Sequence, residues 1–339
     1  MARRRRWATL VGICALVSLE AHGGPRRDGP VAPLVEVRDS GRELGTPYDV
    51  VIVTSTKDEA RARAALRELR VFVRGLERRF SEWMPDSEIS RINRDAGRGW
   101  VAIAPDMAKL LRGALHVSRV TDGAFDVSWA PLGALYDRAR RNGRLPGPAA
   151  IRRYLQRVGW RGVRLEKQRI RFARRGMKLG IAGVAKGWII DALFGKLAGQ
   201  RFRNVIINIG GDLRTSGRDR WGREPRFVIA DPYRKGRFVA SLTISNVAIA
   251  TSGNYLRYRM IGGRRVGHIV DPRSGRTPLF DGSVTVLTRD AAMADALATA
   301  LYVMGPARGL AFAKRIRGLD VIFVTRQGVQ TSLKPGRLR

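Results

Sequence analysis

Strand-like and helix-like patterns follow one another along this chain without a βαβ rhythm. That irregular order points to one compact α+β domain, with mixed sheets and helices packed on them. Runs rich in β-branched residues read as strands: YDVVIVTST (48–56), NVIINIGGD (204–212), RFVIADP (226–232), VASLTIS (239–245), VAIATSG (247–253), SVTVLT (283–288) and DVIFVT (320–325). Two short strands are expected around 163–165 and 169–172. Helical spacing runs from Asp58 to about Phe80, where Ala60, Leu66, Leu69, Val73 and Leu76 recur on one side with arginines opposite. Further helices are expected over 85–95, with Ser87 as N-cap, and over 105–121, 151–159 and 183–200. A basic loop containing Pro and Gly is expected over 138–148.

At 339 residues with 44% hydrophobic content, the chain can bury a substantial core. Its 64 Lys+Arg against 29 Asp+Glu give a formal charge of +35, which attracts polyanions. No zinc-finger spacing and no aromatic RNA-binding signature accompany that charge, so a solvated basic surface is the simpler reading. The N-terminus combines MARRRR with the short apolar stretch WATLVGICALVSL (7–19) and small residues in SLEAHGG. This is the layout of a secretory signal over 1–21, and the adjacent arginines suit twin-arginine export. Residues 22–44 read as a flexible leader before a domain at 45–330. The chain is therefore expected to be exported, in the periplasm or attached to the outer face of the inner membrane. Cys14 is the only cysteine, so removal of the signal leaves no disulfide, cysteine metal site or cysteine nucleophile.

Four segments invite chemistry. In MADALATALYVMG (293–305), Asp295 and Thr299 lie four apart in an otherwise apolar helix and share one face. They can hold one hard cation through oxygen; alternatively Asp295 caps the first turn and Thr299 is a spacer. Magnesium keeps waters and borrows ligand phosphates, so two protein oxygens suffice beside a phosphate ligand. LGIAGVAKG (179–187) leads into a helix through glycines and supplies Lys186, an arrangement that favours anions without being a Walker A loop. In DGAFDVS (122–128), Phe125 offers a stacking face and Asp126 an acceptor, or the segment is a helix-ending turn with a core phenylalanine. GHIVDPRSG (267–275) holds His268 beside the turn-forming Asp271; a lone histidine near a turn is more often structural than catalytic.

Taken in order, the segments LGTPYDV, FSEWMPDSEISRIN, DGAFDVS, GMKLGIAGVAKGWIID, NIGGDLRTSG, IATSGNY, HIVDPRSG and SVTVLTRDAAMADALATALYVMG resemble the FAD:protein FMN transferases, the ApbE or flavin transferase family. The resemblance implies an ApbE-like, T-fold-like domain. It implies an enzyme that uses FAD and Mg2+, releases AMP, and attaches FMN to a Thr or Ser hydroxyl of an exported partner, typically part of a membrane redox complex. Carried over by position, the flavin contacts are Leu44, Trp83, Ala124, Phe125, Asp126, Lys186 and Val270. The metal is held by Asp295, Thr299 and the Gly183 carbonyl, and His268 and Asp271 are the candidate bases. Trp83 stands where the family usually has tyrosine. Gly180 replaces an aspartate that contacts the flavin nucleotide, and Ala298 stands where some members have a second acid. On that basis a Gly180→Asp variant is expected to bind FAD at least as well. Three other readings compete: an FAD pyrophosphatase giving FMN and AMP, a non-catalytic exported FAD-binding protein, and a binder of polyanions or of an anionic membrane surface.

Overall fold

The computed structural model describes residues 33–255 and 257–338. The expected signal at 1–21, and the leader as far as residue 32, lie outside the described residues. In chain order the described elements begin with β1 (Leu34–Glu43), β2 (Thr46–Ser55), α1 (Glu59–Phe80), α2 (Glu88–Asp95), β3 (Trp100–Ala102) and α3 (Pro105–Val120). The middle holds α4 (Ala130–Asn142), α5 (Pro148–Leu155), β4 (Val163–Glu166), β5 (Arg169–Phe172), α6 (Ala182–Gly199), β6 (Asn204–Ile209) and β7 (Asp212–Ser216). Then come β8 (Arg226–Ala230), β9 (Phe238–Thr243), β10 (Val247–Gly253), β11 (Tyr258–Ile261), β12 (Arg264–Gly267), β13 (Ser283–Thr288), α7 (Ala291–Ala313), β14 (Asp320–Thr325) and β15 (Gly328–Thr331).

Eight strands form the main sheet in the order β1-β2-β6-β7-β10-β13-β14-β15, every neighbouring pair antiparallel. Both faces of its centre are covered, which explains the unbroken apolar runs. In β14, Val321 and Phe323 join the main core under α1, α3, α6 and α7, while Ile322 and Val324 join a second cluster under the β8–β9 hairpin. The same alternation splits Ala248 and Ala250 from Val247 and Ile249 in β10.

Two sequence expectations are corrected. The leader does not reach residue 44: Leu34–Glu43 pairs along its whole length with β2, and Val37 is buried. Its polar composition belongs to an edge strand, held to α1 by Arg70–Asp39 at 2.6 Å and Arg74–Glu43 at 3.1 Å. The basic loop is also shorter than 138–148. α4 continues to Asn142, burying Tyr136 and Ala139 on one side, and stops at Gly143 in the left-handed conformation (φ 66°).

A smaller lobe of α4, α5 and the β11–β12 hairpin has its own hydrophobic cluster, including Leu135, Tyr136, Ile151, Ile261, Val266 and Val270. Among the described residues only α7 is long and apolar enough to cross a membrane, and it is packed against α6, β10 and β13 in the main core.

Candidate active site

α6 and α7 are apolar on nearly every side because each is enclosed, and they approach closely through Gly187. A Cβ there would lie 2.1 Å from the Ala291 carbonyl oxygen, so only glycine permits this contact. Asp191, an acid in the middle of α6, ties the pair together. Its carboxylate accepts from the first two amides of α7, Ala291 and Ala292, each at 2.9 Å, and from Arg214 of β7 at 2.6 Å. The first turn of α7 is thus capped by Asp191.

That frees Asp295 for another role. It is buried, and its Oδ2 accepts from the Gly187 amide at 3.1 Å across the helix pair. Burial pushes its carboxyl up, while the nearby Lys186 charge and the Gly187 amide pull it down. In a regular helix the Gly187 amide points at the Gly183 carbonyl. Here Gly183 leaves helical geometry (φ −88°, ψ 16°), and a Cβ on it would stand 3.1 Å from Thr299 Oγ1 and 3.4 Å from the Phe125 ring. Gly183, Thr299, Asp295 and Phe125 therefore meet at one place. The donor set is oxygen only, and among the described residues no cluster of three or more His, Cys, Asp or Glu competes for a metal. Two side-chain oxygens and a carbonyl fit a hard cation that completes its shell with water and phosphate.

Lys186 is ion-paired with the buried Asp212 of β7, directly after the Gly210–Gly211 turn. That turn lies against the β1–β2 hairpin, whose tip is Leu44 (φ 55°) and Gly45 (φ 67°), with Gly210 donating to the Pro47 carbonyl at 2.8 Å. Leu44 thus belongs to the same end of the sheet as Asp212. Trp83 is 89% exposed, an open aromatic face. Its neighbour Glu82 is anchored, accepting from the amides of Ile181 and Ala182 at 2.7 and 2.8 Å. Burial raises the Glu82 carboxyl, and those two amides oppose the shift. The anion-binding role expected for the entry to α6 is therefore already filled by Glu82.

The remaining candidates divide. Ala124 and Phe125 are buried on the main core, and Asp126 holds the loop rather than facing outward. Asp126 accepts from the Ser128 amide and hydroxyl at 2.8 and 2.7 Å and from the Trp160 amide at 2.9 Å. His268 Nδ1 lies 2.9 Å from the Arg257 carbonyl oxygen, which makes it the protonated nitrogen and leaves Nε2 as an acceptor. Burial, against that hydrogen bond and with the charges of Arg257, Arg259 and Lys186, lowers the imidazole to about 4. Val270 is buried in the small lobe's cluster. Asp271 is engaged by Arg273 at 2.9 Å and closes the DPRSG turn, so it does not join this group. Ala298 is buried in the core.

Gly180 overturns an expectation. A Cβ there would fall 2.4 Å from Trp129 Nε1, which itself donates to the Gly180 carbonyl at 3.2 Å. The indole fills the space an aspartate would need. Gly180→Asp is expected to destabilise the fold by about 2 kcal/mol and to weaken flavin binding. Chemical denaturation and an FAD titration check this, and Trp129→Ala combined with Gly180→Asp should recover part of the loss. Glu82, Asp191 and Asp212 were missed from sequence, although Asp191 in WIIDALF poses the same problem as Asp295: a carboxylate in an apolar helix.

Comparisons with known proteins agree with this fold. The model of the ApbE family matches residues 44–323. An FAD:protein FMN transferase of Klebsiella pneumoniae is 33% identical over 258 residues, covering 75% of this chain and 80% of the relative. One of Haemophilus influenzae is 28% identical over 289 residues, covering 81% and 83%. The solved flavin transferase ApbE of Vibrio cholerae superposes with TM-score 0.76 at 26% identity, over 89% of this chain and 98% of that one. The ApbE protein of Thermotoga maritima gives 0.75 at 28%, over 88% and 97%. The irregular α+β order thus converges with similarity along most of the sequence: the chain belongs to the ApbE family, that of the FAD:protein FMN transferases.

Proposed function

We propose that this protein is a Mg2+-dependent transferase that moves FMN from FAD to a Thr or Ser hydroxyl of an exported partner, a domain of a membrane redox complex, and releases AMP. The observation that carries the reading is the meeting of Asp295, Thr299 and Gly183 between α6 and α7, beside Phe125. Mg2+ bound there would neutralise the diphosphate and polarise phosphorus. Trp83 offers its open face to the isoalloxazine, and Lys186 supplies positive charge next to Asp295. His268 Nε2 takes the proton of the acceptor hydroxyl as its oxygen bonds to the FMN phosphorus. The bond from that phosphorus to the bridging oxygen breaks, and AMP leaves. Export, through the N-terminal signal, places the enzyme with such partners.

The base must be neutral to act, and its low value keeps it so. An NMR titration of the free protein should give a His268 midpoint near pH 4 instead of 6.5. Between those values the unfolded chain binds more protons than the folded one, so this residue's contribution to stability falls as pH drops through the window. A midpoint at or above 6 would remove His268 from the role. For the reaction itself, the protein is mixed with FAD, Mg2+ and an FMN-acceptor domain. Flavin fluorescence on the denatured acceptor, AMP release, and loss of both with EDTA are expected. AMP without labelling would select the pyrophosphatase, and bound FAD without AMP would select the non-catalytic reading.

A further inference from the structure

We propose that the lobe of α4, α5 and the β11–β12 hairpin docks on an anionic membrane surface. Between Asp137 and Glu166 the chain carries nine arginines and no acid. On α1, Arg63 pairs with Glu59, Arg70 with Asp39, Arg74 with Glu43 and Arg79 with Asp106, so those charges are neutralised locally. The lobe has no acid to spare. Arg138, Arg140, Arg141, Arg144, Arg152 and Arg153 are all exposed, while its acid Asp137 is already paired with Arg259 at 3.0 Å. Among the described residues none of these six forms an ion pair.

The fold gathers this charge at one tip. A Cβ on Gly262, in the β11–β12 turn, would lie 2.6 Å from the Gly143 carbonyl, so the two turns touch. Around that contact stand Arg141, Arg144 and Arg264, together with Leu145 at 48% and Met260 at 51% exposure. Guanidinium groups match lipid phosphates, and short apolar side chains among them suit the headgroup boundary. Nucleic acid would call for stacking aromatics or an element that enters a groove; the exposed aromatic of the hairpin, Tyr258, sits opposite Gly267 at the end away from the Gly262 turn, with the Arg265 guanidinium over its ring at 3.9 Å. The surface also leads to the chemistry. His268 is four residues beyond Arg264 along β12, about 13 Å at the rise of a strand. This inference stands on the surface alone and does not depend on the flavin reaction.

The test uses the full chain and its binding to vesicles of phosphatidylglycerol in phosphatidylcholine, compared with phosphatidylcholine alone, at physiological ionic strength. Each arginine near such a surface strengthens binding by about fivefold. The triple variant R140Q/R141Q/R144Q is expected to lose at least tenfold in affinity for the anionic vesicles. R234Q/K235Q/R237Q, in the β8–β9 turn across the sheet from α6 and α7, should stay within about threefold of the parent. The N-terminal segment is common to all three proteins, so its contribution cancels. Equal losses in both triples would overturn the proposal in favour of diffuse charge. Tighter binding to duplex DNA than to the vesicles, through the same three arginines, would overturn it in favour of a nucleic-acid surface.

Discussion

Asp295→Asn should lower flavin transfer about 10³-fold at saturating FAD while leaving the fold intact. The buried carboxylate has two jobs that this substitution separates. As an acceptor it holds the Gly187 amide at 3.1 Å, and the Asn carbonyl can do the same. As a charge it is the carboxylate placed beside Gly183, Thr299 and Phe125, and Asn removes it. The unfolding midpoint should therefore change by only a few degrees. The Mg2+ concentration needed for half-maximal rate should rise sharply. Activity within tenfold of the parent would show that the metal is held elsewhere.

Gly187→Ala should cost about 3 kcal/mol of stability and most of the activity together. The added methyl would meet the Ala291 carbonyl oxygen at 2.1 Å, its carbon at 2.4 Å and the Ala292 nitrogen at 2.7 Å. These are backbone atoms at the start of α7, held in place by Asp191, so no side chain can turn aside. The helices must separate, and the link between Gly187 and Asp295 opens with them. Gly195→Ala, in the same helix, is the control: nothing lies within 4 Å of its Cβ. There alanine should stabilise by about 0.5–1 kcal/mol, from helix propensity. Urea denaturation of the two variants measures both effects. Equal stability of the two would mean that α6 and α7 do not pack as described.

The sequence made the interior legible wherever one periodicity met one environment. α1 shows its buried stripe of Leu66, Leu69, Val73 and Leu76, and Ser87 caps α2 by accepting from the Ser90 amide at 3.1 Å. β1 was lost because an edge strand that pairs on one side needs few apolar residues, and its charges read as leader. α4 was missed, and its end read as loop, because its arginines were weighed more than the i, i+3 placing of Tyr136 and Ala139. In the site, the spacing of Asp295 and Thr299 was visible because both lie on one helix. Contacts made across one hundred residues or more, such as Glu82 to Ala182 and Asp191 to Ala292, leave no local pattern to read. The clash at Gly180 was invisible for the same reason: Trp129 reaches it from 51 residues away.

The segment carrying His268 stitches together two separately packed bodies. Ile269 is buried in the main core with α6 and α7, and Val270, the next residue, in the cluster of the small lobe. The Asp295–Thr299–Gly183 junction and the His268 imidazole are thus supported by different sets of side chains. Repacking Ile261 or Val266 would tilt the imidazole and leave the α6–α7 junction undisturbed. On the proposed function, acceptor proteins of different shape would be accommodated by reshaping the lobe, while the α6–α7 junction stays fixed.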